Sequence, residues 1–268
     1  TIVFVAESAN YGEGLGNISN IKKMTRGNAS QYSYISRQAI RYNIVQQAEW
    51  DNTPVEDKSG VVQFAPSATI EDYPEIDLFG YMKTMAKDDN ARGGASTRSA
   101  VARLSNAISL EPYQGELEFL TNMGLAKRQN LDNGIAQSEI HRSYYAYTIS
   151  VDLDRVGIDG EINVSKEEKA KRVKTLLETV QYLYRDIRGR RENLSPLFEN
   201  IVKIDNNMIN VDTLVEMKES SEDLENSTIV GVTSGIFNND SQIKEKLGAV
   251  TIAEAFGEFK KKVDEYYA

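Results

Sequence analysis

The residues best suited to chemistry are basic side chains that follow the first apolar segment of the chain. Lys22, Lys23 and Arg26 lie with Asn20 in a polar, glycine-rich stretch. Cationic side chains and backbone donors of this kind commonly contact phosphate oxygens. The stretch is therefore predicted to be a phosphate-binding loop, and a merely solvated basic surface is the alternative.

A second basic pair follows on a predicted helix. Arg37 and Arg41 are four residues apart, so they share one helical face. The polar residues Ser36 and Gln38 lie beside them. The arrangement favours a groove that follows a nucleic-acid backbone, and ordinary arginines on a solvated helix are the competing explanation.

Further candidates for nucleic-acid contacts are scattered along the chain. The basic ones are Arg98 and Arg103, near a returning core element, and Lys127 and Arg128, for which solvated turn charges are the alternative. The apolar ones are Met82, Met123 and Leu125. These three are candidate wedges against displaced bases, because an unstacked base needs an apolar or aromatic partner. Methionine more often fills a core, and that explanation stays open.

Four more arginines crowd the end of a long predicted helix. They are Arg185, Arg188, Arg190 and Arg191. Cations at a helix C-terminus interact favourably with the helix dipole. This structural explanation ranks ahead of a binding role.

Several kinds of catalytic site are excluded by residue type. The sequence has no cysteine and one histidine, His141, which removes thiolate chemistry, Cys/His zinc sites and almost any histidine-based triad. We expect His141 at a strand end. Glycines at positions 12, 14 and 16 lack the spacing of a dinucleotide-binding loop, and no helix follows them at once. Neither a metal nor a cofactor is expected.

The composition is that of a globular protein with unevenly distributed charge. The 268 residues are 40% apolar and carry a net charge of -9. Residues 1–50 carry +2, whereas residues 51–91 and 205–225 carry -6 each. A basic groove between acidic regions can still hold a polyanion, because attraction depends on the local field. With no apolar run of about 18 residues and no leader, we expect a cytoplasmic protein without membrane contact.

The first third of the chain predicts a strand, a loop and a helix. Residues 1–6 are apolar and β-branched, which indicates a buried strand, and residues 8–33 are too polar to bury and indicate a long loop. A helix is expected over residues 36–50. Its buried face is expected to consist of Ala39, Tyr42 and Val45.

The middle of the chain predicts an insertion between core elements. Residues 51–95 contain clustered acids and three prolines around a short apolar run at 76–82. Apolar patterns resume at residues 97–110 and 141–153, which indicates that the core continues there.

A hairpin is predicted between these two returning segments. Its limbs are residues 115–125 and 135–140, and a basic segment joins them. Asn133–Gly134 is a strong signal for a tight turn.

The last third predicts a long helix, two strands and a final helix. The long helix covers residues 166–188, and Ser165 with Glu168 forms its capping box. The remaining segments are a strand at 196–204, an acidic insertion at 205–226, a strand at 227–237 and a helix at 252–266. The order of core elements is βαββαβ, so the predicted fold is α+β, ferredoxin-like or RNA-recognition-like.

Three runs of sequence carry a resemblance to a known family. They are GNISNIKKMTR at 16–26, YISRQAIR at 34–41 and DLFGYM at 77–82. In this order and spacing they resemble the crRNA-binding backbone subunit of type I CRISPR Cascade complexes, in its DevR-like type I-B branch. The resemblance covers essentially the whole chain.

The resemblance implies a division into palm, finger and thumb. The ferredoxin-like palm would comprise residues 1–50, 96–111 and 141–268, with the acidic insertion at 205–226. The inserted finger domain would comprise residues 51–95, and the thumb hairpin residues 112–140.

The resemblance also implies a non-catalytic scaffold for antiviral defence. Copies would stack head to tail along CRISPR guide RNA as a helical filament, and an open stack of this kind does not close into a ring. The guide would be presented to a target DNA strand, beside other Cascade subunits. Base pairing would then read the sequence while the protein reads backbone and shape.

Two other functions stay open at this point. The related backbone subunit of type III complexes cuts target RNA with an aspartate in the loop after the first strand, but residues 8–34 contain no aspartate and Glu13 as their single acid. Metal-assisted cleavage of a phosphodiester needs a carboxylate to hold the cation or position water. The second alternative is an oligomeric protein that binds single-stranded RNA without a guide.

Overall fold

The computed structural model describes residues 1–12, 14, 16–27, 29–58, 60–84, 94–199, 204–205, 208–209 and 228–268. Its helices are α1 (Arg37–Gln47), α2 (Pro74–Phe79), α3 (Met123–Ala126), α4 (Lys166–Gln181), α5 (Asp240–Leu247) and α6 (Ile252–Tyr267), with a 3-10 turn at Leu153–Arg155. In these residues, no helix is both long and apolar enough to cross a bilayer.

The strands are short and numerous. In chain order they are β1 (Ile2–Ala6), β2 (Ile18–Ser19), β3 (Lys23–Thr25), β4 (Gln31–Ile35), β5 (Val55–Lys58), β6 (Val61–Phe64), β7 (Tyr81–Thr84), β8 (Ala95–Arg98), β9 (Ala102–Leu104), β10 (Ala107–Ser109), β11 (Glu116–Thr121), β12 (Ile135–Ile140), β13 (Ser143–Tyr147), β14 (Ile149–Val151), β15 (Ile158–Asp159), β16 (Ile162–Asn163), β17 (Tyr184–Ile187), β18 (Arg190–Asn193), β19 (Phe198–Glu199), β20 (Ile204–Asp205), β21 (Met208–Ile209) and β22 (Gly231–Val232). The predicted α+β class is confirmed.

The chain divides into two compact units. Unit 1 comprises Thr1–Ile40, Ser105–Tyr147 and Tyr184–Ile252, and unit 2 comprises Arg41–Leu104, Thr148–Leu183 and Ala253–Ala268. The segment predicted as thumb, 112–140, lies in unit 1, and the segment predicted as finger, 51–95, lies in unit 2. Unit 2 also holds segments that we assigned to the palm. The palm, finger and thumb boundaries therefore remain predictions.

Unit 1 is built on a seven-stranded sheet with the order β22-β19-β1-β13-β10-β4-β3. All neighbours in it are antiparallel. Strand β1 lies inside the sheet, and its residues Ile2, Val3 and Phe4 are at most 3% exposed. The continuous apolar run of residues 1–6 therefore reflects a strand that is covered on both faces.

The two faces of β1 contact different groups. Val3 belongs to a cluster with Phe198, Phe237, and Ile243 and Leu247 of α5. On the opposite face, the Phe4 ring stacks on a tyrosine of β13 at 5.9 Å between centroids. The sequence did not predict α5, because its eight residues are mostly polar and place only these two apolar side chains in the core.

His141 lies between β12 and β13 in a buried polar network. Its Nδ1 is 2.7 Å from Ser33 Oγ, which is also 2.6 Å from the hydroxyl of Tyr145. Burial lowers the pKa of His141 below its ordinary value. A neutral, hydrogen-bonded imidazole at a strand end agrees with the structural role predicted for this residue.

The predicted hairpin is confirmed, but its connection differs. Strands β11 and β12 pair over six residues, from Glu116 opposite Ile140 to Thr121 opposite Ile135. They are joined by α3 and a loop rather than by a tight Asn133–Gly134 turn. The Asn122 side chain accepts a hydrogen bond from the Gly134 amide at 2.7 Å. This bond closes a loop that is longer than the predicted two-residue turn.

The polar segment 8–33 was predicted as a loop, and this prediction was wrong in part. The segment holds β2, β3 and the first residues of β4. The Lys22 amide donates to the Asn10 carbonyl at 2.6 Å, and the Gly12 amide donates to the Asn20 carbonyl at 2.8 Å. Polarity concealed these strands, because the side chains of β2 and β3 are not buried and the residues that β4 buries here, Tyr32 and Ser33, are polar, although the backbone groups pair.

Two helix predictions need correction. Helix α1 forms as expected and buries Val45, but Tyr42 is 64% exposed, and Ile40 and Ile44 are also buried. Helix α4 begins at the predicted cap, where Ser165 Oγ accepts from the Glu168 amide. It ends at Gln181, so the predicted continuation to residue 188 was wrong.

The remaining predicted strands are shorter than expected. The segment 141–153 is divided between β13 and β14. In the described chain, the segment 196–204 contains β19 and the first residue of β20, and the segment 227–237 contains β22. The acidic insertion at 205–226 lies largely outside the described residues, as does Glu13.

Unit 2 is organised around one buried carboxylate, Asp77 of α2. Asp77 is fully buried and receives Arg98 Nη2 at 2.6 Å and Arg172 Nη1 at 2.9 Å. The Gly157 amide donates to both of its oxygens at 3.0 Å. Since a buried carboxylate is costly unless it is paired and hydrogen-bonded, the burial of Asp77 depends on these partners.

Gly80 is the other essential residue of the 77–82 run. Its φ of +74° lies in the left-handed region, which favours glycine. A Cβ at this position would collide with the Arg98 carbonyl oxygen. The chain can therefore turn from α2 into β7 beside Arg98 only without a side chain here. The Asp-Leu-Phe-Gly run thus has a structural explanation.

Replacement of Asp77 by asparagine should lower the free energy of unfolding by about 3–5 kcal/mol, because two buried guanidinium groups would lose their shared carboxylate. The matched control is Asp152→Asn, which breaks the exposed Arg103–Asp152 pair and should cost less than about 1 kcal/mol. Urea titration followed by circular dichroism measures both. Equal losses in the two variants would contradict the role given to Asp77.

Candidate nucleic-acid interface

The predicted basic loop is divided by the register of β3. Lys22 and Arg26 are an even number of residues apart, so extended backbone places them on one face and Lys23 on the other. Lys22 and Arg26 are exposed, and neither has an acidic partner among the described residues. The Arg26 guanidinium lies 5.1 Å from the centroid of the Tyr32 ring. These two cations are available to an external anion.

Lys23, in contrast, already has an internal partner. Its Nζ lies 2.8 Å from a Glu139 oxygen and 4.3 Å from the centroid of the Tyr113 ring. Burial alone would raise the pKa of Glu139, but hydrogen bonds from Lys23 and the Ile21 amide lower it below its ordinary value. Lys23 therefore ties β3 to β12 and positions the loop.

An arginine-rich hairpin in unit 1 was missed as a candidate. Strands β17 and β18 pair from Tyr184 opposite Asn193 to Ile187 opposite Arg190. The turn consists of Arg188 and Gly189, both with positive φ, at 50° and 74°. Two such residues make the tight turn that matches strand twist. The helix-dipole explanation of these arginines was therefore wrong.

Glu192 fixes this hairpin beside the end of β1. Its side chain accepts from Arg185 Nε at 2.9 Å and Nη2 at 2.6 Å in a buried ion pair. Its other oxygen accepts from the backbone amides of Glu7 at 3.0 Å and Ser8 at 2.8 Å. Arg190 adds a hydrogen bond to Glu7 at 3.2 Å and another to Ser8.

The hairpin thereby presents an arginine over an aromatic ring of the first loop. The Arg188 guanidinium lies 3.9 Å from the centroid of the Tyr11 ring. Arg188 is exposed and has no ion-pair partner in the part of the chain that the structure describes. Arg191 lies over Tyr184 at 4.1 Å, but it is also paired with Asp186. Arg188 is the available cation of the hairpin.

We name the available cations Lys22, Arg26 and Arg188, with the Tyr11 ring, the basic–aromatic surface. The Tyr11–Ile21 bridge and the hydrogen bond from the Tyr11 hydroxyl to the Glu139 carbonyl at 3.0 Å place the Tyr11 ring on the Lys23 face of the loop. The surface therefore includes both faces of the loop, with Lys22 and Arg26 on one face and Tyr11 with Arg188 on the other. Guanidinium groups on rings and unpaired cations suit a single-stranded nucleic acid, whose phosphates need charge and whose bases need stacking partners. One signal in the sequence could have predicted this turn. Arg188–Gly189 is a residue followed by glycine, between two segments in which side chains alternate as in strands.

The start of α1 contributes exposed groups and structural ones. Arg37 and Gln38 are exposed. Ser36 Oγ accepts from the Ala39 amide at 3.3 Å, so it serves as a helix cap. Asn20 is half-buried, and its carbonyl is paired within the loop.

The candidates in unit 2 are paired internally. Arg98 is 8% exposed in the Asp77 network, so phosphate cannot reach it and its assignment to RNA binding is corrected here. Arg41 lies 3.5 Å from Glu75 and over the Phe79 ring at 5.2 Å. Arg103 is paired with Asp152 at 2.7 Å.

The candidate wedges and the thumb cations are all exposed. Met82 of β7 is 66% exposed, and Met123 and Leu125 of α3 are 50% and 60% exposed. Lys127 and Arg128 follow α3 on the surface. The alternative that these methionines fill a core does not fit this exposure.

The hairpin also carries apolar side chains outside the core. One face of the β11–β12 pair holds Leu117, Phe119 and Ile135, because the odd-numbered residues of β11 pair with the odd-numbered residues of β12 and alternate residues of a strand share a face. Their exposed fractions are 57%, 56% and 51%. In the described residues, no group of three or more potential metal-ligating side chains is present.

Comparison with known proteins gives a family. A family model described as "CRISPR-associated negative auto-regulator DevR/Csa2" matches residues 1–222. No curated protein sequence matches. A solved chain described as "CRISPR RNA-guided surveillance complex, pre-nicking" has a TM-score of 0.49 at 10% identity, over 99% of this chain and 88% of that one. Another, described as "CRISPR RNA-guided surveillance complex", has a TM-score of 0.45 at 13% identity, over 86% and 88%. On the family match, the chain belongs to the DevR/Csa2 family of CRISPR-associated proteins.

Proposed function

We propose that the protein is a non-catalytic scaffold that binds CRISPR guide RNA through the basic–aromatic surface. The observation that carries the proposal is that Lys22, Arg26 and Arg188 are exposed without acidic partners in the described chain, although acidic residues outnumber basic ones by 40 to 31. Cations left unpaired on an acidic protein are available to an external polyanion. Membership of a CRISPR-associated family supports RNA as that polyanion.

The strand order supports a ferredoxin-like palm. Numbered along the chain, β1, β10, β13 and β19 are the four core strands, and their order in the sheet is 4-1-3-2 with antiparallel neighbours. This is the order of a ferredoxin-like βαββαβ sheet. Helices α1 and α4 occupy the two helical positions in the chain order.

We further propose that the protein works as repeated copies in a Cascade complex of type I-B. The exposed apolar side chains of the β11–β12 hairpin, with Met123 and Leu125, would displace bases of the guide and contact the next copy in a head-to-tail filament. The guide would then pair with target DNA beside other Cascade subunits. Large exposed apolar patches generally mark interaction sites.

Binding through unpaired cations is tested by its dependence on salt. The triple variant Lys22→Ala, Arg26→Ala, Arg188→Ala should bind single-stranded guide RNA more weakly whatever the spacer sequence. The slope of log K against log salt should fall by about 2, since each phosphate contact contributes about 0.7 on single strands. Fluorescence anisotropy across a salt series measures the slope.

The matched control removes three exposed lysines elsewhere, in Lys171→Ala, Lys261→Ala, Lys262→Ala. It should retain the wild-type slope. An unchanged slope in the first triple variant, or weakening confined to particular spacer sequences, would contradict the proposed surface.

The thumb assignment is tested by a deletion. Residues 127–133 are exposed, so replacing them by a short glycine bridge should leave a protein that still melts cooperatively. The same variant should lose long RNA-bound assemblies. Size-exclusion chromatography with and without guide RNA, together with thermal melting, measures both properties. Normal assemblies in the variant would show that this segment is not the thumb.

A further inference from the structure

Unit 2 contains a small pocket that the proposed RNA surface does not use. Its volume is about 150 Å³, and its walls include Ile70, Tyr81, Lys83, Asp159 and Ile162. A cavity of about this size holds one benzene ring when it is lined by apolar side chains. The walls of this pocket are aliphatic in part and also carry charged groups. Its volume therefore fits a single ring, and its charged groups suit a ring with polar edges.

Lys83 is the buried donor of the pocket. The residue is 5% exposed, and its Nζ donates to the Ala68 carbonyl and lies 4.2 Å from the centroid of the Tyr81 ring. The described residues place no carboxylate within ion-pair distance of it. Burial lowers the pKa of this ammonium group, and the charge of Asp159 opposes the shift only in part. An ammonium has three protons to donate, so capacity remains for a ligand oxygen.

Asp159 is the acceptor in the same wall. Its Oδ2 accepts from the Tyr81 hydroxyl at 2.8 Å, and its Oδ1 lies 3.8 Å from Arg98 Nη1. The side chain is 28% exposed. A carboxylate with two oxygens can accept further hydrogen bonds after these contacts. The adjacent Ser96 hydroxyl can donate or accept.

From this geometry we infer that the pocket binds a single pyrimidine base, and cytosine in preference to uracil. Lys83 would donate to a ring carbonyl oxygen, and Asp159 would accept from an exocyclic amino group. Carboxylates recognise the cytosine amino group in this way, whereas the uracil carbonyl at the same position would face a negative charge. Ile70 and Ile162 would cover the ring. A two-ring purine would extend from the pocket into its open mouth.

The base could belong to a free nucleotide or to a nucleic-acid strand. The inference goes beyond the proposed function, because none of Lys22, Arg26 or Arg188 lines this pocket. Titrating the full-length protein with cytidine, uridine and adenosine monophosphates by isothermal calorimetry tests the free nucleotide. Parallel titrations with a short oligocytidine test the polymer. Saturable binding in either arm, with cytidine favoured over uridine at least about fivefold, is the expected result.

Two variants assign the binding to the pocket. Lys83→Met keeps the length of the side chain but removes the donor, so cytidine binding should fall at least tenfold. Asp159→Asn replaces an acceptor by a group that can also donate, so the preference for cytidine over uridine should disappear or reverse. A purely structural role of Asp159 would weaken both nucleotides equally. If Lys83→Met does not fold, the Asp159→Asn preference alone decides.

Three results would overturn the inference: no saturable cytidine binding by the wild-type protein in either arm, unchanged affinity in Lys83→Met, or an unchanged preference in Asp159→Asn. The exposed control Lys171→Met should bind as wild type does. Lys83→Met should also retain the salt slope for guide RNA. This readout separates a failure of the pocket from a failure of the proposed RNA surface.

Discussion

The carboxylate of Glu192 is the interaction on which the candidate interface depends. It joins the buried Arg185 guanidinium to the backbone amides that follow β1, and so fixes an arginine hairpin against the first loop. Without this carboxylate, two backbone amides and a buried guanidinium would lose their acceptor, which is far more costly than losing a surface pair. The available cation of the hairpin, Arg188, reaches the Tyr11 ring because of this internal pairing. Binding groups at the surface are thus positioned by charges that are themselves buried.

Unit 2 uses the same principle with a different carboxylate. Asp77 holds Arg98 and Arg172, and Gly80 allows the backbone to pass close to the first of these arginines. A run of sequence that resembles a family motif is therefore explained by folding rather than by contact with a ligand. The distinction matters for interpreting such motifs, because a charged residue three positions before a glycine can serve to assemble a core.

The sequence predicted elements whose signals are local. The strand over 1–6, the hairpin limbs and the capped start of α4 follow from periodicity and caps, and the structure confirms them. It did not reveal which cations are free, because pairing depends on distant partners such as Glu139 for Lys23. The sequence pattern also predicted that α4 continues to residue 188. Apolar spacing alone did not show that the helix ends at Gln181 and that a hairpin begins three residues later. The sequence therefore predicted site residues by their type, and the structure then distinguished the paired cations from the available ones.

Guide RNA is proposed to lie on the basic–aromatic surface of unit 1. Ultraviolet cross-linking of bound RNA, followed by mass spectrometry of the attached peptides, locates the RNA, because tyrosine rings that stack on bases react in place. We expect attachment within residues 11–26 and within the hairpin of Tyr184–Ile187 and Arg190–Asn193. Cross-links confined to the segments of unit 2 would contradict this proposal.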